Sequence, residues 1–339
     1  MKPRTNRFDR EAAFSMDLVN PDSDTPDAIN CAATLNGSSI CFLENSIAKT
    51  VSAETADPEN KEPDTRHSYQ FIYQIGSTNP IVARTILQVK SILGSVILRK
   101  GLSNQTILDH AWDCTQHLIS CEDSFLSIYN ETTDLMYKCD ELINEAKYKS
   151  HIPSLPQVKN LTERIVTFLG NGKRFLEKSH ELLCIFYGAA NNDSNFQAYR
   201  DWMKKHEPSR VAVYDLLEQN KDWIKSLAWY RNALDINHAR AGFRVTIENF
   251  KLQAGNKFTG PCWQYDFQDK GGDIQNSPSD LIVDINAFRA NMLAFFEALS
   301  LTCIKDNWDS QWNFEIYRHE DERINPKCPI IFFVGLNHE

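Results

Sequence analysis

Three arginines in this chain are each followed at short range by a histidine: Arg174 and His180, Arg200 and His206, Arg231 and His238. The two side chains together suit cleavage of a phosphodiester. Histidine titrates near neutrality and can move a proton to or from an attacking hydroxyl or a leaving oxygen. Arginine carries a permanent, forked charge that stabilises a phosphate gaining negative charge. RNA supplies its own nucleophile, the 2′-hydroxyl, so the reaction calls for neither a metal nor a cofactor.

Composition alone produces such pairs by chance, so helix geometry has to separate them. A six-residue offset turns two side chains about 240° apart, which sends the first two pairs to different faces. A seven-residue offset returns to nearly the same face two turns along, so Arg231 and His238 can address one substrate if the helix reaches His238. Polar groups gather here, in Tyr230-Arg231-Asn232 and Asn237-His238-Ala239-Arg240. From 231 to 257 there are five Lys or Arg against Asp235 and Glu248, a local bias toward an anion. Arg231 and His238 are the candidate catalytic pair, with Tyr230, Arg240 and Arg244 as RNA-contacting residues. The structural alternative is a helical Arg231–Asp235 salt bridge, with His238 continuing the apolar stripe Trp223, Leu227, Tyr230, Leu234. On that reading the chain is a non-catalytic helical module that binds RNA or a protein partner.

An arginine followed directly by asparagine, with a histidine several residues on, inside a helical region, resembles the HEPN superfamily. The resemblance spans 155–305 and rests on Arg231, Asn232 and His238, and it implies that these three form the catalytic set, with Asn232 as a supporting polar group. The family motif carries four to six intervening residues, and the six here lie at its permissive end. Arg200-Asp201 with His206 shares the polar residue after arginine and is the second choice. The resemblance implies a helical bundle with metal-independent endoribonuclease activity, acting in phage defence or a toxin–antitoxin system. It also implies a homodimer with a composite site and an antitoxin or other protein partner.

Other chemistry finds less support. His110, Cys114, His117 and Cys121 are spaced 4-3-4 along one helical face, a pattern reminiscent of metal ligands. Four ligands strung over about 16 Å of helix cannot enclose one ion. The cysteines lie in an apolar stripe, so core packing is the simpler reading, and no metal site is expected. Nine cysteines with irregular gaps and no Cys-x-x-Cys pair point to reduced thiols. The fingerprints Gly-x-Ser-x-Gly, Gly-x4-Gly-Lys-Ser/Thr and Gly-x-Gly-x-x-Gly do not occur. Trp263, Tyr265 and Asp266 could line a small-molecule site, although aromatic clusters are more often core.

The elements that must position these residues read as mainly α. The 339 residues, 42% hydrophobic and 24% charged, have ample material for one large or two smaller domains. A net charge of −9 argues against a protein that coats nucleic acid but leaves room for a local basic site. Residues 1–68 carry seven Lys or Arg against twelve Asp or Glu and are read as a loosely ordered N-terminal arm. Residues 69–150 form a long-helix region: one helix from Thr78 to Gly101, then another from Ser103 with a possible break near Asn130–Thr133. Residues 151–339 form the HEPN-like helical domain. Its helices are predicted at 155–169, 172–188, 194–205, 208–219, 221–237 and 277–304, with a turn at Gly170-Asn171-Gly172. Minor strands are predicted around Phe243–Ile247 and Trp263–Phe267 and at the C-terminus. The helix 277–304 is a candidate dimer interface. No apolar run approaches the roughly 20 residues that span a bilayer, and no apolar stretch follows the N-terminus, so a cytoplasmic location is expected.

Overall fold

The computed structural model describes residues 27–62, 64–146, 150–152, 154–188, 196–234, 243–269, 272–275, 277–309 and 314–336. It is mainly α, 56% helical with 20% strand in small sheets. In chain order the first elements are β1 (Ile29–Leu35), β2 (Ser38–Leu43), β3 (Ile47–Val51), α1 (Ala53–Ala56) and β4 (Ser68–Tyr73). Next come α2 (Pro80–Val82), a π-helical turn (Ala83–Leu87), α3 (Gln88–Leu93), α4 (Asn104–Glu145), α5 (Leu161–Tyr187), α6 (Phe196–His206) and α7 (Val211–Leu234). The strands β5 (Phe243–Glu248), β6 (Lys251–Gln253), β7 (Lys257–Thr259), β8 (Cys262–Asp269), β9 (Gly272–Gln275) and β10 (Ser279–Asp280) follow. The last elements are α8 (Leu281–Asn307), β11 (Phe314–Arg318) and β12 (Phe332–Leu336). Two compact units emerge, Met1–Trp112 with Trp308–Glu339, and Asp113–Asn307, the division falling inside α4.

The first unit corrects the expectation of a loose arm for residues 27–68; the rest of that arm, 1–26, lies outside the described residues. From Ile29 to Tyr73 the chain builds a four-stranded antiparallel sheet in the order β1-β2-β3-β4. Asn36 and Gly37 both hold positive φ, 47° and 71°, in the two-residue turn that joins β1 to β2. This Asn-Gly step is a strong hairpin signal because a turn with two positive φ angles matches strand twist. Ile40, Phe42, Leu43 and Ile47 are buried, and Trp112 meets Phe42 edge-on at 5.7 Å. The buried Asp27 carboxylate accepts the Asn45 N–H at 2.9 Å and the Ser46 hydroxyl at 2.7 Å. At Gly76 a Cβ would lie 2.4 Å from the Leu43 carbonyl oxygen, so only glycine lets the backbone pass. The predicted terminal strands exist as the antiparallel pair β11–β12, but they belong to this unit and not to the domain of 151–339. Buried Gln88 explains why: its side chain accepts the N–H groups of Ile331 and Phe332 at 3.0 and 2.8 Å and donates to the Phe332 carbonyl at 2.6 Å.

In the second unit three expected breaks are absent. α4 continues through Asn130–Thr133, where the Thr133 hydroxyl donates to the Tyr129 carbonyl at 2.9 Å. Gly170-Asn171-Gly172 lies inside α5. A Cβ on Gly172 would sit 3.0 Å from Leu227 of α7 and 3.4 Å from Met292 of α8, so this glycine serves close helix packing instead of a turn. α7 runs unbroken past Asn220, whose side chain donates to the Leu216 carbonyl and accepts the Trp223 indole N–H at 2.7 Å.

α4 runs antiparallel to α5, and α7 to α8. Cys121 faces Phe168 and Cys114 faces Ser179, which fixes α4 against α5. Trp223 meets Phe295 and Tyr230 meets Phe288, which fixes α7 against α8. Glu122 of α4 accepts two hydrogen bonds from one Arg289 nitrogen of α8, at 2.6 and 2.7 Å, and that guanidinium covers the Phe125 ring at 4.6 Å. The Tyr199 hydroxyl of α6 donates toward the Leu183 and Gly188 carbonyls and so caps the end of α5. By length and composition α8 is the one helix among the described residues that could cross a membrane, but half of that stretch is buried within the unit, as a core helix would be. Its Leu281, Ile285, Met292, Phe295, Phe296 and Leu299 are buried within the unit, so those side chains are not offered to a dimer interface.

Candidate functional site at the end of α7

The α7 stripe Val213, Leu217, Ile224, Leu227 and Tyr230 is buried, and the described helix runs four residues beyond Tyr230. Tyr230 is 8% exposed and stacks on the fully buried Trp263 of β8 with ring centroids 4.1 Å apart and planes 14° apart. Tyr265 and Phe288 meet the Tyr230 ring edge-on. The Trp263 indole N–H donates to Asp284 at 2.7 Å, and the Ser279 hydroxyl donates to the same oxygen at 2.6 Å. Burial, then the nearby Asp284 carboxylate and Tyr265, push the Tyr230 phenol up to about 12, although a Ser279 hydrogen bond opposes this. Tyr230 is thus a core residue and not an RNA platform, because its ring is already occupied by stacking. Trp263 is equally consumed as core, which leaves no exposed indole for a small-molecule site there.

This aromatic anchor fixes the last turn of α7 against β8 and the start of α8. Arg231 and Asn232, the next two residues, are both half-exposed. The Arg231 Nη1 donates to the Asn232 Oδ1 at 3.2 Å, which restrains the guanidinium at the helix end. Arg244 is exposed on β5, in register with Asp266 of β8. His238, Arg240 and Asp235 lie outside the described residues, so the site consists here of Arg231, Asn232 and Arg244.

The other two Arg–His spacings are taken up by packing. Arg200, 14% exposed, bonds Asp201 at 2.8 Å and forms an ion pair with Glu218 of α7. His206 points its Nδ1 to the Trp202 carbonyl at 2.9 Å and stacks on the Trp202 ring. His180 is buried between Phe196 and Tyr199, where burial pushes its imidazole below the ordinary value, while Arg174 is exposed. The six-residue offset parts both pairs, as helix geometry requires.

The cysteines of the 4-3-4 pattern are core. Cys114 and Cys121 are fully buried against α5, and burial pushes both thiols well above their ordinary value. Among the described residues no three His, Cys, Asp or Glu side chains gather for a metal ion. What sequence spacing missed is a pairing across helices: Arg174 of α5 acts on His117 of α4, with Asn171 hydrogen-bonded to the imidazole. No spacing rule within one helix finds it, because the partners are 57 residues apart in the sequence.

Comparison of the chain with protein-family models, with curated proteins and with solved structures finds no match in any of the three.

Proposed function

We propose that this protein is a metal-independent endoribonuclease of HEPN type, built on a helical bundle, in which Arg231 and His238 cleave RNA through its own 2′-hydroxyl. The observation that carries the reading is the Arg231–Asn232 hydrogen bond at the anchored end of α7. It restrains a guanidinium beside the segment that bears His238, whereas the two rival Arg–His spacings are spent on ion pairs and aromatic packing.

In this mechanism His238 accepts the 2′-hydroxyl proton as the oxygen attacks the adjacent phosphorus. Arg231 stabilises the charge building on the non-bridging oxygens. The P–O5′ bond breaks as the 5′-oxygen takes back the proton held on His238, and the product carries a 2′,3′-cyclic phosphate. Asn232 acts by holding Arg231, while Arg244 and Arg240 contact RNA phosphates. Homodimerisation, an antitoxin or other protein partner, and a cytoplasmic defence role complete the proposal and rest on the family resemblance.

The test is cleavage of end-labelled single-stranded RNA in EDTA by wild type, Arg231→Ala and His238→Ala. The reading expects a 2′,3′-cyclic phosphate product from wild type and none from either variant, with all three melting alike. Loss of cleavage that tracks early melting would make the pair structural and favour the non-catalytic binding module.

A further inference from the structure

The face on which α4 and α5 meet carries a second polar centre, distinct from the end of α7. The contacts Cys114–Ser179 and Cys121–Phe168 set the register of the two helices and put His117 opposite Asn171 and Arg174. Asn171, Arg174 and Lys178 follow one another at i, i+3 and i+7, along one face of α5. Their partners differ. Lys178 is held by Glu181 at 2.7 Å and approaches Asp113 at 3.8 Å. Lys173 pairs with Glu177 at 3.5 Å. Arg174 is exposed, and no carboxylate among the described residues pairs with it. Its described electrostatic partner is the half-buried His117, a group that can itself become a cation. Two potential positive charges and an amide therefore lie at facing positions of α4 and α5, where Asp113, Glu177 and Glu181 already engage lysines.

We propose that His117, Arg174 and Asn171 form a binding site for the phosphate group of a small phosphate monoester. The arginine fork suits two phosphate oxygens, and the amide and imidazole can each donate to others. A monoester dianion matches the two cations that Arg174 and a protonated His117 supply together. A diester, with one charge, is satisfied by Arg174 alone.

The free site keeps His117 neutral. Burial first, then the Arg174 guanidinium and to a lesser degree Lys178, push the imidazole below its ordinary value, while Asp113 and the Asn171 bond pull it back. A bound dianion reverses the balance, so binding is coupled to proton uptake on His117.

The experiment follows the imidazole Cε1–H signal of His117 in the full-length protein labelled with 13C-histidine, assigned with His117→Gln. Its midpoint is measured in chloride, then with inorganic phosphate, thymidine 5′-monophosphate or the dinucleotide d(TpT) at matched ionic strength. Phosphate and the monophosphate are expected to raise the midpoint by about one pH unit, and d(TpT) to leave it nearly unmoved. In Arg174→Gln the free midpoint starts higher and phosphate no longer shifts it. The proposal is overturned if phosphate leaves wild-type His117 unmoved, or moves it equally in Arg174→Gln. An equal shift with d(TpT) overturns the assignment to monoesters.

Discussion

Asp284 is the residue on which the geometry of the α7 end depends, and Asp284→Ala should destabilise the protein strongly. Its Oδ2 accepts both the Trp263 indole N–H at 2.7 Å and the Ser279 hydroxyl at 2.6 Å. Trp263 is fully buried, so water cannot replace the lost acceptor. A buried donor left without a partner costs about 1–3 kcal/mol. Asp284 also lies in the first turn of α8, where a carboxylate contributes roughly 0.3–1 kcal/mol through the helix dipole. Together these give about 1–4 kcal/mol for Asp284→Ala. Asp284→Asn keeps an acceptor oxygen and should lose about 1 kcal/mol. Urea unfolding followed by circular dichroism reads both values. A cycle with Trp263→Phe isolates the bond, because the phenyl ring has no donor to strand. The two substitutions should couple by about 1 kcal/mol or more. The reasoning fails if Asp284→Ala stays within about 0.5 kcal/mol of wild type, or if its cost simply adds to that of Trp263→Phe.

Three further outcomes follow from the second unit. Glu122→Leu, which strands Arg289 beside Phe125, should cost about 2–3 kcal/mol, and adding Arg289→Met should recover part of the loss in thermal melts. Gly172→Val should cost about 1–3 kcal/mol because even a Cβ meets Leu227 at 3.0 Å, whereas Gly170→Ala, with nothing within 4 Å, should gain about 0.5–1 kcal/mol. His117 and His180 are both held below the ordinary imidazole value of 6.5, so the folded state resists protons that the unfolded chain accepts. Stability is then full above pH 6.5 and falls as the pH drops below it through the lowered folded-state values, and His117→Gln should flatten that fall in urea midpoints.

The sequence made the helical class, the strands around Val245 and Tyr265, and the buried stripes of α4 and α7 legible, because those signals are local and periodic. Its glycine and asparagine punctuation misled in both directions. Gly172 reads as a turn, yet it marks the point where α5 approaches Leu227 and Met292, a distance no local pattern encodes. Asn220 reads as a break, yet its amide is satisfied within α7 and by Trp223. Asn36-Gly37 carries the opposite signal, a two-residue hairpin turn inside a segment whose polar, acidic composition reads as a loose arm.

The candidate site was legible to a different depth at each residue, and the reason is the range over which its parts interact. Arg231 and Asn232 are adjacent on one helix, so their partnership follows from order alone. Tyr230 sits beside them in sequence and was assigned with them, but one helical residue is about 100° of rotation. That rotation takes its ring inward onto Trp263, 33 positions away, while Arg231 stays half-exposed. The same argument separates Arg174 from His180 and joins it to His117. Along α5 the six-residue offset sends the histidine into the core, and across the α4–α5 contact the antiparallel register returns another to the arginine. Residue spacing proposes partners within an element. The partners that matter at the α4–α5 face are chosen by the helix register, which Cys114–Ser179 and Cys121–Phe168 fix.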